Sequence, residues 1–336
     1  MALKIAFITD AWHPQINGVV TTIDNTCKML REQGNEVLMI TPDQFKTVPC
    51  PSYPSIRLAV FCSPKVHKLL DNFSPDRIHI ATEGPLGLAA RKYCLKRKLA
   101  FTTSFHTLFA EYTNLRFKVP ISWGYRFLHW FHKPASHIMV ATERMEADLV
   151  KRGFEKEKFV RWSRGVDTER FKPRDKEHLP YPRPISMFVG RVAVEKSIED
   201  FLALSIPGTK VVVGDGPQMN QLKTQYPEAI FHGFETGEPL AKTMAAADVF
   251  VFPSRTDTFG IVMLDALACG LPVAAYPVQG PLDVLIENKT GCMRENLQEA
   301  FYGALKLDSE DCRKQALSYS WQNCSGQFFN NLVSVS

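Results

Sequence analysis

The strongest constraint in this sequence is an alternation, met twice, of short apolar runs with helix-length amphipathic stretches. In the first half, residues 4–9, 36–41, 77–81, 100–104, 137–141 and 158–162 read as strands. Residues 20–33, 85–98, 122–132 and 143–152 read as helices between them. Strands separated by helices at this spacing predict a parallel, doubly wound sheet with ligands at the carboxyl ends of its strands. The pattern stops at residues 172–184, KPRDKEHLPYPRP, whose prolines and charges read as a linker. It restarts with strands at 185–189, 210–213, 229–232 and 249–252, and helices at 198–205, 217–225 and 239–246. The tail from Asn296 reads as two or three helices. The expected fold class is therefore α/β, with Rossmann-like domains over residues 1–171 and 184–320. A chain of 336 residues is long enough for both to have their own cores.

Composition narrows the classes. Hydrophobic residues at 45% and charged residues at 22% fit a soluble globular protein. The amino terminus reads directly as a strand instead of a signal peptide, and no apolar run is long enough to span a bilayer. A cytoplasmic location is expected. The eight cysteines are scattered with no C-x-x-C pair, which argues against a zinc ribbon or a redox motif. The net charge of +5 is uneven: residues 91–133 hold nine Lys or Arg against one acid, Glu111, interleaved with Trp123, Tyr125, Phe127, Trp130 and Phe131. Two readings stand for this segment: a peripheral contact with anionic membrane or an acidic acceptor, and a solvated basic face over an aromatic core. No recognition motif accompanies the charge, so no nucleic-acid partner is expected.

Five stretches carry chemistry. Residues 251–276, VFPSRTDTFGIVMLDALACGLPVAAY, place a polar loop between a buried strand and a helix opening at Phe259 and Gly260. Unpaired N–H groups at such a helix start favour an anion. Asp257 lies in that loop, and Asp265 is eight positions on, slightly more than two turns later. The loop leaving the strand at 185–189 carries Gly190, Arg191 and Lys196, two cations placed to meet a diphosphate as its charge grows. A salt-bridge network of these cations with Glu195 and Glu199 is the plainer reading. Gly214 and Gly216 form a G-x-G turn before Pro217, a weak dinucleotide signal. Asn17 and Gly18 follow the first strand, where a positive φ at Gly18 would let a sugar or phosphate approach the backbone. His106 sits just past the strand at 100–104, placed to donate to a hydroxyl.

These motifs together resemble the retaining glycosyltransferases of family four, which have the GT-B fold. In that family two acids separated by seven residues mark the donor-sugar motif, the second normally being Glu; here both are Asp. The resemblance implies two Rossmann-like domains facing across a cleft, with the C-terminal helix at 321–336 packing back on the first. It implies transfer of a hexose from a UDP- or GDP-linked sugar to an acceptor hydroxyl, without metal or other cofactor. The relatives it brings to mind include lipid-directed mannosyl-, glucosyl- and sulfoquinovosyl-transferases, so a lipid or glycan acceptor is expected. The diphosphate falls to Arg191, Lys196 and the backbone around Thr258, Phe259, Gly260 and Ile261. Asp257 orients the sugar, His106 contacts it from the first domain, and Asp265 takes the ribose. The loops at Asn17 and Gly18, at Gly190, and at Gly214 and Gly216 border the donor, and Arg164 lies in the crossover motif SRGVDTERF. No nucleophile stands out, which fits a same-face attack in which the departing phosphate accepts the proton. Other readings are a GT-B epimerase or hydrolase and a non-catalytic nucleotide-sugar binder. An oxidoreductase is disfavoured, since neither half carries G-x-G-x-x-G with a ribose-binding acid.

Overall fold

The structure is a computed structural model that describes the chain except residues 1, 16, 51–52, 107–109, 112–113, 115–117 and 258, with residues 53–55 described as backbone only. The chain divides into two compact units: residues 1–164 with 321–336, and residues 165–320.

The first unit contains β1 (Lys4–Ile8), β2 (Glu36–Ile40), β3 (Thr47–Cys50), β4 (Tyr53–Ala59), β5 (Arg77–Ile80), β6 (Thr102–Ser104), β7 (His137–Val140) and β8 (Phe159–Arg161). Its helices are α1 (Gly18–Glu32), α2 (Ser63–Phe73), α3 (Pro85–Arg97), α4 (Ile121–His132) and α5 (Glu143–Lys151). Six strands form one sheet in the order β2-β1-β5-β6-β7-β8 with parallel pairings, while β3 and β4 pair as a separate antiparallel hairpin. Period-two alternation splits β1 between two cores. Ala6 and Ile8 join Ile78, Ile80 and Leu86 on one face, and Ile5 and Phe7 join Ile23, Cys27 and Leu30 on the other. Helices cover both faces, so β1 is apolar from Ile5 to Ile8.

The second unit contains β9 (Ile185–Val189), β10 (Thr209–Val213), β11 (Ile230–Gly233), β12 (Val249–Phe252), β13 (Val273–Ala275) and β14 (Gly291–Met293). Its helices are α6 (Ile198–Leu202), α7 (Met219–Gln225), α8 (Gly237–Ala245), α9 (Ile261–Ala268), α10 (Gln279–Val284), α11 (Leu297–Ala304) and α12 (Ser309–Leu317). The strands form a parallel sheet in the order β11-β10-β9-β12-β13-β14, the dinucleotide-fold order whose direction reverses between β9 and β12. The last helix, α13 (Trp321–Asn331), returns to the first unit, where Phe328 stacks on Phe7 with ring centroids 5.3 Å apart.

Two features differ from the sequence reading. The hairpin and α2 are absent from it, because Pro49, Pro51 and Pro54 interrupt the strand pattern that would mark β3 and β4. The stretch at 172–184 is no free linker but belongs to the second unit. Arg174 pairs with Glu238, Lys176 and Arg183 both pair with Asp248, and the Pro182 carbonyl accepts the Thr209 hydroxyl at 2.8 Å. The division of the chain falls between Arg164 and Gly165 instead.

The G-x-G turn also finds its reason in packing. Gly190 N–H donates to Val213 at 3.0 Å and Val192 N–H to Asp215 at 2.9 Å, so the loops leaving β9 and β10 run backbone against backbone. Gly214 has φ +141°, and a Cβ there would stand 1.8 Å from the Gly190 carbonyl oxygen. Gly214→Ala therefore costs about 3 kcal/mol or more, from overpacking added to left-handed strain. Gly34→Ala, with φ +87° but open space around the new Cβ, carries the strain alone and should cost about 1–2 kcal/mol. Denaturant midpoints of both variants check this; equal losses would remove the steric argument.

Candidate active site

The reversal of strand order in the second sheet puts the loops leaving β9 and β12 side by side. Lys196 ends a 3-10 turn in the first loop, and its ammonium donates to both carboxylate oxygens of Asp257 in the second, at 2.6 and 2.7 Å. The Ser254 and Thr256 hydroxyls donate to the Glu195 carbonyl at 3.3 and 3.2 Å, holding the loops in register. Both side chains of the ion pair are largely buried, so each charge depends on the other for compensation. Arg191 pairs with Glu195, as the plainer salt-bridge reading expected, but the Glu199 carboxylate accepts instead from Gln221 at 3.4 Å. Both expected phosphate cations thus already carry a carboxylate partner. A third cation on this rim escaped the sequence reading: the Arg255 guanidinium lies 3.5 Å from the centre of the Tyr276 ring, whose hydroxyl donates to Asp200 at 2.8 Å. Nothing local in the sequence pairs those three residues.

Gly260 caps α9 in the left-handed region, φ +76°, so the helix starts at Ile261, one or two residues later than the sequence suggests. A side chain on Gly260 would stand 2.8 Å from Met263 and 2.9 Å from Phe252. Phe259 is buried with its ring against Tyr319. The Met263 N–H turns back to the Gly260 carbonyl at 2.9 Å, but the Ile261 and Val262 N–H groups have no intrahelical acceptor and, among the described residues, no side-chain cap, which leaves an electropositive helix start beside Asp257 in sequence. Thr258 lies outside the described residues.

Asp265 sits on the second turn of α9, partly buried, with no hydrogen bond or ion pair to its carboxylate among the described residues. Burial, and then the negative charge of Asp167, push its pKa up to about 7, with Arg170 opposing. The charges that reach it come from the segment after residue 164, and no described contact joins it to Lys196 or Asp257. The backbone N–H groups at the expected donor loops are already used: Gly190 donates to Val213, Gly214 to Gly233 at 2.7 Å, and Gly216 to the Asp215 side chain at 2.8 Å.

In the first unit, the Asn17 side chain caps α1, its oxygen accepting from Val19 and Val20 N–H at 3.0 Å each. Gly18 is the first residue of that right-handed helix, so the expected positive φ is not used there. His106 is buried with both ring nitrogens engaged: Nε2 lies 2.8 Å from Ser104 Oγ and Nδ1 3.1 Å from an Arg164 Nη. Burial first, then Arg164 and His79, hold its pKa well below the usual 6.5. The expectation that His106 donates to a sugar hydroxyl is therefore not what this geometry presents, and Arg164 turns inward.

Sequence reasoning also passed over Asp10, directly after β1, and Glu83, after β5. Asp10 accepts from Leu86 and Gly87 N–H at 2.9 and 3.2 Å and from the Thr82 hydroxyl at 3.0 Å, so it caps α3 from a neighbouring strand. Burial raises its pKa to about 6 despite these bonds. Glu83 lies 3.2 Å from Nε2 of the buried His132. The visible signal was an acid closing the apolar run in FITD.

Two open parallel sheets, each with loops at the carboxyl ends of its strands, define a GT-B glycosyltransferase fold. Sucrose-phosphate synthase from Thermosynechococcus elongatus matches with TM-score 0.80 and 21% identity over 98% of each chain. Anabaena Alr3699/HepE in complex with UDP-glucose matches with TM-score 0.73 and 16% identity over 98% of each chain. Residues 16–170 match the model of Glycosyltransferase Family 4, and residues 183–307 that of Glycosyl transferases group 1. A GDP-mannose-dependent alpha-mannosyltransferase of Mycolicibacterium smegmatis is 31% identical over 87% of this chain and 84% of its own length. The sulfoquinovosyl transferase SQD2 of Arabidopsis thaliana is 28% identical over 85% of this chain and 61% of its own. The alpha-monoglucosyldiacylglycerol synthase of Streptococcus pneumoniae is 25% identical over 82% and 71%. The chain belongs to Glycosyltransferase Family 4 and is a glycosyltransferase.

The unpartnered Asp265 yields a pH prediction. Its folded pKa of about 7 exceeds the ordinary 3.8, so its contribution to stability is fully present below pH 4 and is lost as pH rises through 7. Asp265→Asn removes that dependence. It should melt at the parent's temperature at pH 4 and several degrees higher at pH 8, since each kcal/mol shifts a domain of this size by about 2–4 °C. A difference that stays constant from pH 4 to 8 would show that Asp265 titrates normally.

Proposed function

We propose that the protein transfers a hexose from a UDP- or GDP-linked sugar to an acceptor hydroxyl, with retention of anomeric configuration and without a metal ion. The observation that carries this reading is the ion pair of Lys196 with Asp257 at the strand-order reversal, next to Arg191 and the start of α9. The leaving diphosphate lies against Lys196, Arg191 and the amides of Gly260 and Ile261. Its charge grows as the glycosidic bond breaks, so groups fixed beforehand stabilise the transition state more than the ground state. Lys196 is shared between diphosphate and Asp257, and Asp257 then orients the donor sugar. Asp265 faces the ribose hydroxyls. Phe234, exposed just after β11 and beside Gly214 through the 2.7 Å bond to Gly233, offers a flat face to the nucleobase. The acceptor hydroxyl attacks on the face the diphosphate leaves, and the departing phosphate oxygen takes its proton.

Thermal protection by UDP-glucose, UDP-glucuronate and GDP-mannose identifies the donor. With that donor, Lys196→Ala should lower kcat by a factor on the order of 10²–10³ when assayed well below its melting temperature; by leaving the Asp257 carboxylate unpaired it should also melt several degrees below the parent. Turnover should withstand EDTA, and the product should keep the donor's anomeric configuration. Unchanged activity in Lys196→Ala would place the site elsewhere. Free sugar released without acceptor would favour the hydrolase or epimerase reading, and binding without turnover the non-catalytic one.

The acceptor is read as lipid-linked, because the basic segment forms an exposed apolar surface. Tyr125 and Phe131 join the core, whereas Trp123 is 67% exposed and Trp130 50%, with Ile121 and Leu95 also open. Arg91 is folded onto Trp130, but Lys92, Lys96, Arg126 and Lys133 stand exposed around these side chains. Indole rings bordered by cations suit an interface with anionic headgroups. No helix among the described residues is long and apolar enough to cross a membrane, so the contact is peripheral. Sedimentation with phosphatidylglycerol vesicles should rise with anionic lipid and weaken with salt. Each of Trp123→Ala and Trp130→Ala should weaken it by about tenfold, as buried indole area is lost. Indifference to both charge and the tryptophans would point to a soluble glycan acceptor.

A further inference from the structure

A directed chain of hydrogen bonds runs through the carboxyl ends of β5 and β6 in the first unit. Thr102 Oγ1 lies 3.4 Å from the Ile78 carbonyl and donates there, so it accepts from His79 Nδ1 at 2.9 Å. His79 Nε2 then carries no proton and lies 3.2 Å from Ser104 Oγ, whose hydroxyl donates to the Ala81 carbonyl at 3.3 Å. Ser104 in turn accepts from His106 Nε2 at 2.8 Å, and His106 Nδ1 accepts from Arg164 at 3.1 Å. A guanidinium only donates, which sets the direction from Arg164 through His106 to Ser104. A proton added to His106 would set its Nδ1 as a donor against the Arg164 guanidinium inside a buried site.

We infer that Arg164 is a positioning residue: its guanidinium fixes the His106 ring as the neutral tautomer protonated on Nε2, and the ring serves the reaction as a fixed dipole instead of a proton shuttle. Arg164 is itself anchored, its Nη1 donating to the Trp162 and Ser163 carbonyls at 2.8 and 3.1 Å. The titratable and charged groups that face His106 are Arg164, from the segment after β8, and His79, from β5. Cys324 on α13 reaches Arg164 and donates to the Ser163 carbonyl at 3.1 Å. Burial takes His79 down to about 3 and leaves Arg164 near 10, so at neutral pH the imidazoles are uncharged and the guanidinium charged, as the chain requires. Because Arg164 is the last residue of the first unit before the chain enters the second, the His106 ring is held by the segment that joins them. The catalytic part of this inference rests on the proposed glycosyl transfer; the tautomer does not.

Nitrogen-15 NMR of the full chain labelled at histidine tests it, with the His106 signals assigned by their loss in His106→Gln. The parent should show one Nε2-protonated tautomer that does not change from pH 5.5 to 8. Arg164→Met should give mixed tautomers or a titration within that window, and Arg164→Lys, which keeps a donor, should restore the parent pattern. If Arg164→Met fails to fold, Arg164→Lys against the parent still decides, since a lost tautomer there would refute the donor role. An unaltered single tautomer in folded Arg164→Met would also overturn the inference. On the donor found by thermal protection, Arg164→Met should lower kcat by on the order of tenfold to a hundredfold with KM little changed, and Arg164→Lys should recover most of it. A tautomer shift without loss of kcat would keep the hydrogen-bond chain and refute its use in transfer. A protein that turns over no donor at all would refute the functional reading and leave the tautomer result standing.

Discussion

Lys196 and Asp257 are 61 residues apart in the chain, and their charges meet at 2.6 Å in a largely buried setting. Neither charge would be tolerated there alone, since a buried ion without its partner costs several kcal/mol. The meeting requires β9 to lie beside β12, which in a six-stranded parallel sheet fixes the point where strand order reverses. That point in turn leaves the loops diverging at the carboxyl edge, where an elongated anion can lie between them. The Ser254 and Thr256 bonds to Glu195, and the backbone contact of Gly190 with the β10 loop, remove the slack that would let the pair drift. The sheet topology and the ion pair are one arrangement, and the proposed anion site follows from it.

The first unit treats the equivalent edge differently. Its crevice is closed by its own polar groups: Asp10 takes the start of α3, Glu83 takes His132, and His106 is tied to Ser104 and Arg164. These bonds satisfy buried donors and acceptors that open loops would leave to water. The cost is visible in the acids and bases held away from their ordinary protonation: Asp10 up to about 6, His79 down to about 3. A site so fully occupied by internal bonds favours shape and fixed dipoles over proton transfer.

Much of this was legible in the sequence, for a physical reason. Parallel strands covered on both faces are mostly apolar, so the runs at β1, β5, β7, β9 and β12 announce themselves even with His79 and Ser186 inside them, and their order follows from the helices between them. Long-range partners leave no such mark. Nothing near Lys196 says that Asp257 holds it, and nothing near residues 172–184 says that Glu238 and Asp248, some sixty to seventy residues on, turn a charged stretch into part of a domain. The G-x-G turn was visible, but its use in packing one loop on another shows only in the 1.8 Å approach at Gly214. The ring of His106 was placed correctly past β6 and given the wrong freedom, because the donor that immobilises it lies 58 residues away.

The two aspartates illustrate how side-chain length divides roles within one motif. Asp257 reaches Lys196 with both oxygens, so its short arm suits a loop held close to its neighbour. Asp265 has the same short arm on a helix, no partner among the described residues, and a proton that stays on until about pH 7. On the proposed reading, a diphosphate adds negative charge beside an ion pair that is already neutral, and the nearby carboxyl responds by holding its proton more firmly. A protonated carboxyl donates one hydrogen bond where a carboxylate only accepts, so it binds a ribose hydroxyl as donor without adding repulsion toward the phosphates. On that reading, where the two proposed phosphate cations are already paired, an acid that can stay neutral fits better than one that must be charged.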